Sequence, residues 1–128
     1  MSFTHTIKVS ADAIDQMGHV NNVVYVRYVQ ETAEAHWKTI ASNQLQQTVL
    51  WVVLRHEIDY KSAAFEGDLL NCTTWIEKNE GPKMPRFVTI KNESGKVLIE
   101  AKTMWCAVDT QKHRPIRISQ EIYDLFKG

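Results

Sequence analysis

One segment of helical periodicity, followed by four segments of strand periodicity, most restricts how this 128-residue chain can fold. Between residues 23 and 40 apolar side chains recur every three or four positions, which is typical of the buried face of a helix. Asn21 or Asn22 is a natural N-cap for it. Segments 50–60, 70–77, 86–92 and 97–107 instead alternate apolar and polar residues, as half-buried strands do. The same alternation predicts a strand over residues 3–10, and Ser119 can cap a short helix that ends near Phe126.

The links between the later strands predict an antiparallel sheet. Glu80-Gly81-Pro82 is a turn sequence, and Ser94-Gly95 is typical of a tight hairpin. Hairpin-linked strands lie antiparallel, and one face of the sheet needs an apolar cover. Only the first helix is long enough to supply that cover. We therefore expect a single α+β domain over residues 1–128, with the sheet wrapped around one long helix.

The opposite face of the predicted sheet is unusually apolar. Strict alternation places on it a set of large side chains: Trp51, Val53, Trp75 and Met104. Exposed apolar patches of this kind usually mark association surfaces. We therefore expect at least a homodimer, with a homotetramer as a further possibility.

Charge and composition exclude several classes of partner. Fifteen basic residues balance fifteen acidic ones, so no overall field attracts nucleic acid or an anionic membrane. No apolar run is long enough to span a bilayer, and the first ten residues do not resemble a signal peptide. Cys72 and Cys106 lack metal-ligand spacing, and we interpret them as reduced thiols of a cytoplasmic protein.

Residues 15–22, Asp-Gln-Met-Gly-His-Val-Asn-Asn, precede the predicted helix and carry the densest set of reactive groups. A helix N-terminus offers backbone N–H groups that can polarise a carbonyl or hold an oxyanion. Asp15 supplies a carboxylate that could attack a carbonyl or activate water. The simpler interpretation is that Asp and Asn residues here only form turns and caps.

The motif Asp15-x-x-Gly18-His19-Val20-Asn21-Asn22-x-x-Tyr25 resembles the signature of the hot-dog-fold acyl-CoA thioesterases of the 4-hydroxybenzoyl-CoA thioesterase type. The resemblance continues through segments 60–69, 105–109 and 114–118 and so covers nearly the whole chain. It implies the hot-dog fold, a mainly antiparallel sheet around a long central helix. It also implies hydrolysis of an acyl-CoA to a carboxylic acid and free coenzyme A, at sites shared between paired protomers.

The resemblance further implies roles for individual residues. Asp15 falls on the catalytic carboxylate, as nucleophile or general base. Gly18, His19 and Val20 fall on the helix entrance whose N–H groups polarise the thioester, and Tyr25 falls near the acyl pocket. The sequence departs from many relatives two residues before Asp15, where it has Ala13 instead of a second Asp.

Other roles follow from position and residue type. The His19 side chain could hydrogen-bond the thioester, position Asp15 or only make a structural hydrogen bond. Lys83 and Arg86 are the best candidates to bind the coenzyme A phosphates, from a strand that would face the partner's helix entrance. His5 and His56 are expected to be buried core histidines. No histidine spacing indicates a metal, so we expect no metal and no other cofactor.

Three alternatives stay open. The substrate could be carried by acyl-carrier protein instead of coenzyme A. The protein could bind acyl-CoA without hydrolysing it. Glu31 or Glu34 on the helix could replace Asp15 as the catalytic carboxylate, although Glu34 and Lys38 have the spacing of an ordinary surface pair. A hot-dog dehydratase fits less well, because its usual Asp-His spacing differs from that of Asp15 and His19.

Overall fold

Five antiparallel strands form one sheet in the structure, a computed structural model that describes residues 1–127. The strands occur in the order β1-β3-β4-β5-β2 across the sheet. Their bounds are Phe3–Lys8 for β1, Val49–Tyr60 for β2, Leu69–Ile76 for β3, Lys83–Lys91 for β4 and Val97–Asp109 for β5. Both edges of the sheet, β1 and β2, are therefore open to pairing.

The long helix α1, Asn22–Ile40, packs on one face of the sheet as the periodicity predicts. Asn21 is its N-cap, because its side-chain oxygen accepts a 2.9 Å hydrogen bond from the Val23 N–H. The first half of α1 packs into a core with β1 and β3, where Val29 is fully buried. The expected α+β fold with a sheet around a long helix is confirmed.

Two shorter helices complete the cover. The helix α2, Asn43–Thr48, lies between α1 and β2 and is not among the predicted elements. Ser42 caps it by accepting from the Leu45 N–H at 3.1 Å. The predicted terminal helix is confirmed as α3, Gln120–Lys127, with Ser119 accepting from the Ile122 N–H at 3.2 Å. Its apolar side packs with the second half of α1 in a second core cluster.

A β-bulge in β2 overturns part of the predicted facing of side chains. The pairing with β5 runs regularly to Val53 opposite Trp105 and resumes with Arg55 opposite Met104, so one extra residue lies at position 54. An inserted residue reverses the period-two alternation on one side of it. Trp51 and Val53 therefore lie on the helix side of the sheet, and their expected place on the outer face is wrong. Trp51 packs edge-on against Trp37 of α1, with ring centroids 5.3 Å apart.

The outer face keeps the other two predicted apolar residues. Trp75 lies there, stacked on Phe87 of the neighbouring strand at 5.6 Å between centroids, and half-buried Met104 lies nearby. The bulge adds exposed apolar side chains from the edge strand β2: Leu50, Val52 and Leu54, each between 44% and 51% exposed. The apolar outer surface is thus real, but its largest exposed part lies along the edge of the sheet.

Candidate active site

The loop from Asp15 to Asn21 is a closed turn held against the start of α1. The Asp15 N–H donates to the His19 carbonyl at 3.0 Å, and the Gly18 N–H donates back to the Asp15 carbonyl at 3.1 Å. Gly18 has a φ of 83°, in the left-handed region that glycine adopts without strain. The turn therefore requires the glycine of the motif and brings Asp15 beside the helix entrance.

One oxygen of the Asp15 carboxylate accepts no hydrogen bond from the residues that the structure describes. Its Oδ1 accepts a 2.9 Å hydrogen bond from the Met17 N–H, which is an ordinary turn interaction. Its Oδ2 has no hydrogen-bond donor, and no cation pairs with it, among residues 1–127. The side chain is partly exposed and lines a shallow, open depression with Ile14, Met17 and Asn21.

Two of the three backbone N–H groups expected to polarise the thioester form hydrogen bonds within the protein instead. The Gly18 N–H is used within the turn, and the Val20 N–H donates to the Ala64 carbonyl at 2.9 Å. Of the three predicted donors, only the His19 N–H has no partner in the part of the chain that the structure describes. Gly18 and Val20 therefore shape the loop instead of presenting N–H groups to a ligand.

The His19 side chain makes little contact with its neighbours. Its Nδ1 lies 3.4 Å from the Val20 carbonyl oxygen, and no hydrogen bond joins the ring to Asp15. The ring is only partly buried. A catalytic role for the imidazole stays a prediction.

Tyr25 ties the loop after β2 to the helix entrance. Its hydroxyl accepts a 2.9 Å hydrogen bond from the Ala64 N–H, and its ring packs near Tyr28 and Tyr60. Burial raises the pKa of the Tyr25 hydroxyl above its usual value. The residue is 2% exposed, and its observed contacts are structural.

Lys83 and Arg86 occupy very different environments although both lie on β4. Lys83 is exposed at the start of the strand, and its contact with a phosphate stays a prediction. Arg86 is 2% exposed on the helix side of the sheet, which corrects the expectation of a surface cation. Its Nη1 donates to His36 Nδ1 at 3.0 Å and to Thr74 Oγ1 at 2.9 Å.

The buried pair of His36 and Arg86 escaped the sequence analysis. Arginine only donates, so His36 accepts through Nδ1 and carries its proton on Nε2. Burial, and then the Arg86 charge, lower the pKa of His36 to about 4, while burial lowers that of Arg86 to about 10. A signal was present, since Arg86 interrupts the apolar alternation of Met84, Val88 and Ile90.

The remaining candidates have ordinary partners. His5 is half-buried and pairs with the exposed Glu31 at 3.1 Å, so the expectation of a buried core histidine is wrong for His5. His56 is partly buried and bonds Thr103 and Gln30 at 2.7 and 3.2 Å. Glu34 forms no ion pair with Lys38 within residues 1–127, so that predicted pair is wrong.

Cys72 and Cys106 are buried free thiols, and burial raises the pKa of Cys72 to about 11. The described residues contain no cluster of three potential metal ligands. No helix within residues 1–127 has the length and apolarity to cross a membrane.

Comparison with known proteins agrees with this architecture. The chain is 24% identical to the long-chain acyl-CoA thioesterase FadM of Escherichia coli over 123 residues, which cover 91% of this chain and 90% of FadM. It is 26% identical over 111 residues to the chloroplastic acyl-[acyl-carrier-protein] hydrolase FATB3 of Cuphea viscosissima, covering 76% of this chain but only 27% of that protein.

The fold matches that of a 1,4-dihydroxy-2-naphthoyl-CoA thioesterase from Synechocystis, with a TM-score of 0.85 and 18% identity over 99% of this chain and 96% of the other. This likeness confirms the hot-dog fold. The sequence model of the family described as "Acyl-ACP thioesterase N-terminal domain" matches residues 1–126, nearly the full length of the chain. The chain therefore belongs to the acyl-ACP thioesterase family of hot-dog proteins.

Proposed function

We propose that the protein hydrolyses an acyl-CoA thioester to a carboxylic acid and free coenzyme A, using Asp15. The observation that carries this proposal is the Asp15 carboxylate, which has an unpaired oxygen beside the N-terminus of α1. The unpaired His19 N–H lies in the same turn. A carboxylate next to a backbone donor is a minimal arrangement for attack on a carbonyl.

The proposed reaction can follow either of two routes. As nucleophile, Asp15 bonds to the thioester carbon, the C–S bond breaks, and water hydrolyses the resulting anhydride. As general base, Asp15 takes a proton from water while the water oxygen bonds to that carbon, and the departing thiolate receives a proton. In both routes the carbonyl oxygen becomes negative, and the His19 N–H and the positive end of α1 would stabilise it.

Coenzyme A is the proposed carrier because FadM matches this chain over almost the full length of both proteins. The second candidate is an acyl group on acyl-carrier protein, and the family description that matches residues 1–126 favours it. Both carriers hold the acyl group through the same kind of thioester bond, so Asp15 would act identically on either. Binding of acyl-CoA without turnover is the non-catalytic alternative.

We also infer that the active unit is at least a homodimer paired through β2. This edge strand is 12 residues long and exposes Leu50, Val52 and Leu54. The opposite edge, β1, is only six residues long and exposes Thr4, Thr6 and Lys8. A long apolar edge favours pairing, whereas a short polar edge does not. The shared-site prediction further requires that β4 of the partner subunit reach Asp15 in this dimer.

The test is steady-state release of free thiol from a panel of acyl-CoA substrates that differ in chain length and aromatic content. Turnover on at least one substrate supports hydrolysis, whereas binding without thiol release supports the non-catalytic alternative. A parallel assay with the same acyl group on acyl-carrier protein distinguishes the carriers. A much higher kcat/KM for the carrier protein would replace coenzyme A in the proposal.

A further inference from the structure

A second cavity lies beside the far half of α1, away from Asp15. Its volume is about 260 Å³, and its walls come from α1, α2, β2, β4 and β5. Three of the four tryptophans of the chain line it: Trp37, Trp51 and Trp105. The nearest lining residue on α1, Ala33, is 11 residues beyond Asn22, about 16 Å along the helix axis.

Arg86 lines this cavity as a buried cation with unused donors. Its Nη1 has two hydrogens, which the bonds to His36 and Thr74 account for. The three donors on Nε and Nη2 have no partner among residues 1–127, and no carboxylate lies within 4.0 Å of the guanidinium. A buried charge without a counterion is costly, so an anion in the cavity would relieve that cost.

Two further residues of the cavity wall carry unpaired polar atoms, although neither atom opens onto the cavity. The indole nitrogens of Trp51 and Trp105 are buried and have no hydrogen-bond acceptor in the described chain. Buried polar groups are nearly always paired in native proteins. The carboxylate that lines the cavity belongs to Glu34, which is exposed and makes no ion pair with Arg86. The Nε and Nη2 donors of Arg86 therefore have no acceptor in the described chain.

We propose that this cavity binds a small free carboxylic acid, with its carboxylate at Arg86 and its apolar body among the tryptophans. The cavity, about 260 Å³ in volume and open on one side, has room for the body of a small carboxylic acid. The planar guanidinium matches a carboxylate, and Met84 and the indole rings suit an aromatic or aliphatic body. This proposal does not rest on the hydrolysis proposed for Asp15.

The test is a titration of the protein with phenylacetate and hexanoate, followed by tryptophan fluorescence and by calorimetry. The matched neutral ligands are 2-phenylethanol and 1-hexanol, which keep the apolar body. We expect each carboxylate to bind at least about tenfold more tightly than its alcohol, because a hydrogen bond to a charged group contributes more than a neutral one. Equal affinity for acid and alcohol, or no binding of either acid, would overturn the proposal.

The Arg86→Met variant removes the charge and keeps the length of the side chain. We expect it to lose the preference for the carboxylate over the alcohol, while the control Lys91→Met, at an exposed cation of the same strand, keeps it. Retention of the preference in Arg86→Met would contradict the proposed contact. Phenylacetate should bind Asp15→Asn with unchanged affinity, and a loss there would contradict a separate site.

If Arg86→Met does not fold, a variant of the exposed residue Glu34 provides a second test of binding in this cavity. Glu34 lines the cavity and is exposed, so Glu34→Gln should fold normally. Removing its negative charge should raise the affinity for phenylacetate about two- to fivefold and leave 2-phenylethanol unaffected. An unchanged affinity for phenylacetate would contradict binding in this cavity.

Discussion

The backbone N–H of Ala64 donates a 2.9 Å hydrogen bond to the hydroxyl of Tyr25. The carbonyl of Ala64 accepts another, also 2.9 Å long, from the Val20 N–H. Ala64 itself is fully buried. This single residue thus joins the loop after β2 to both α1 and the turn that carries Asp15, and the position of the carboxylate depends on it.

Replacing Tyr25 by Phe tests this connection. The Ala64 N–H would stay buried without an acceptor, so the free energy of unfolding should fall by about 1–3 kcal/mol. The measurement is urea unfolding. The matched control is Tyr60→Phe, because Tyr60 is 44% exposed and its hydroxyl lies 3.4 Å from the Asn22 carbonyl. A loss for Tyr25→Phe no larger than for the control would contradict the structural role.

Stability should depend on pH through His36. Its pKa is about 4 in the folded protein, against 6.5 for an unperturbed histidine, so the unfolded chain binds the proton more readily. The free energy of unfolding should therefore fall with decreasing pH, by about 1–2 kcal/mol between about pH 7 and about pH 5. His56, whose pKa is also lowered by burial, adds in the same direction.

The His36→Gln variant isolates the contribution of His36. An amide oxygen can still accept from Arg86 but does not titrate in this range. Unfolding measured at both pH values should show a smaller pH dependence than in the wild type, with His5→Gln as the surface control. An identical pH dependence in wild type and His36→Gln would show that His36 is not the responsible group.

The sequence predicted the main elements because their signals are local and periodic. The helix, five strands and terminal helix follow from spacing alone, and Asn21 and Ser119 act as the expected caps. The predicted sheet face of Trp51 was wrong because of the bulge at position 54. That bulge depends on the pairing of β2 with β5, which no local sequence pattern indicates. The polar helix α2 has no buried residue and so gave no apolar periodicity.

The candidate site was predicted less completely than the fold. Residue types and spacing located Asp15 beside the helix N-terminus, since the motif is contiguous. They could not show that Ala64, more than 40 residues away, takes up the Val20 N–H. The contact of Arg86 with His36 likewise joins residues 50 positions apart, and only the folded chain brings them together.

Association through β2 can be tested by adding a charge to that strand. Val52→Lys places a cation on the exposed apolar edge, and two such edges paired across a dimer would repel each other. In sedimentation equilibrium the wild type should exceed 14.8 kDa, the mass of one chain, and the variant should shift towards it. Thr6→Lys on β1 should leave the mass unchanged. A fully active wild-type species of 14.8 kDa would contradict both the dimer and the shared site.

The Asp15→Asn variant is designed to remove the reactive carboxylate and little else. The amide oxygen can still accept the hydrogen bond of the Met17 N–H, so the turn should keep its shape. Thermal unfolding and acyl-CoA affinity should therefore stay close to those of the wild type. Asp12→Asn is the control, because Asp12 lies in the same region but its carboxylate bonds the Ser10 hydroxyl.

The most direct test of the account is the rate of thiol release by Asp15→Asn on the best acyl-CoA substrate of the panel. Loss of a catalytic carboxylate should lower kcat by about a hundredfold or more, while Asp12→Asn stays near the wild-type rate. A turnover of Asp15→Asn close to that of the wild type would mean that Asp15 only forms the turn, and the proposed mechanism would be wrong.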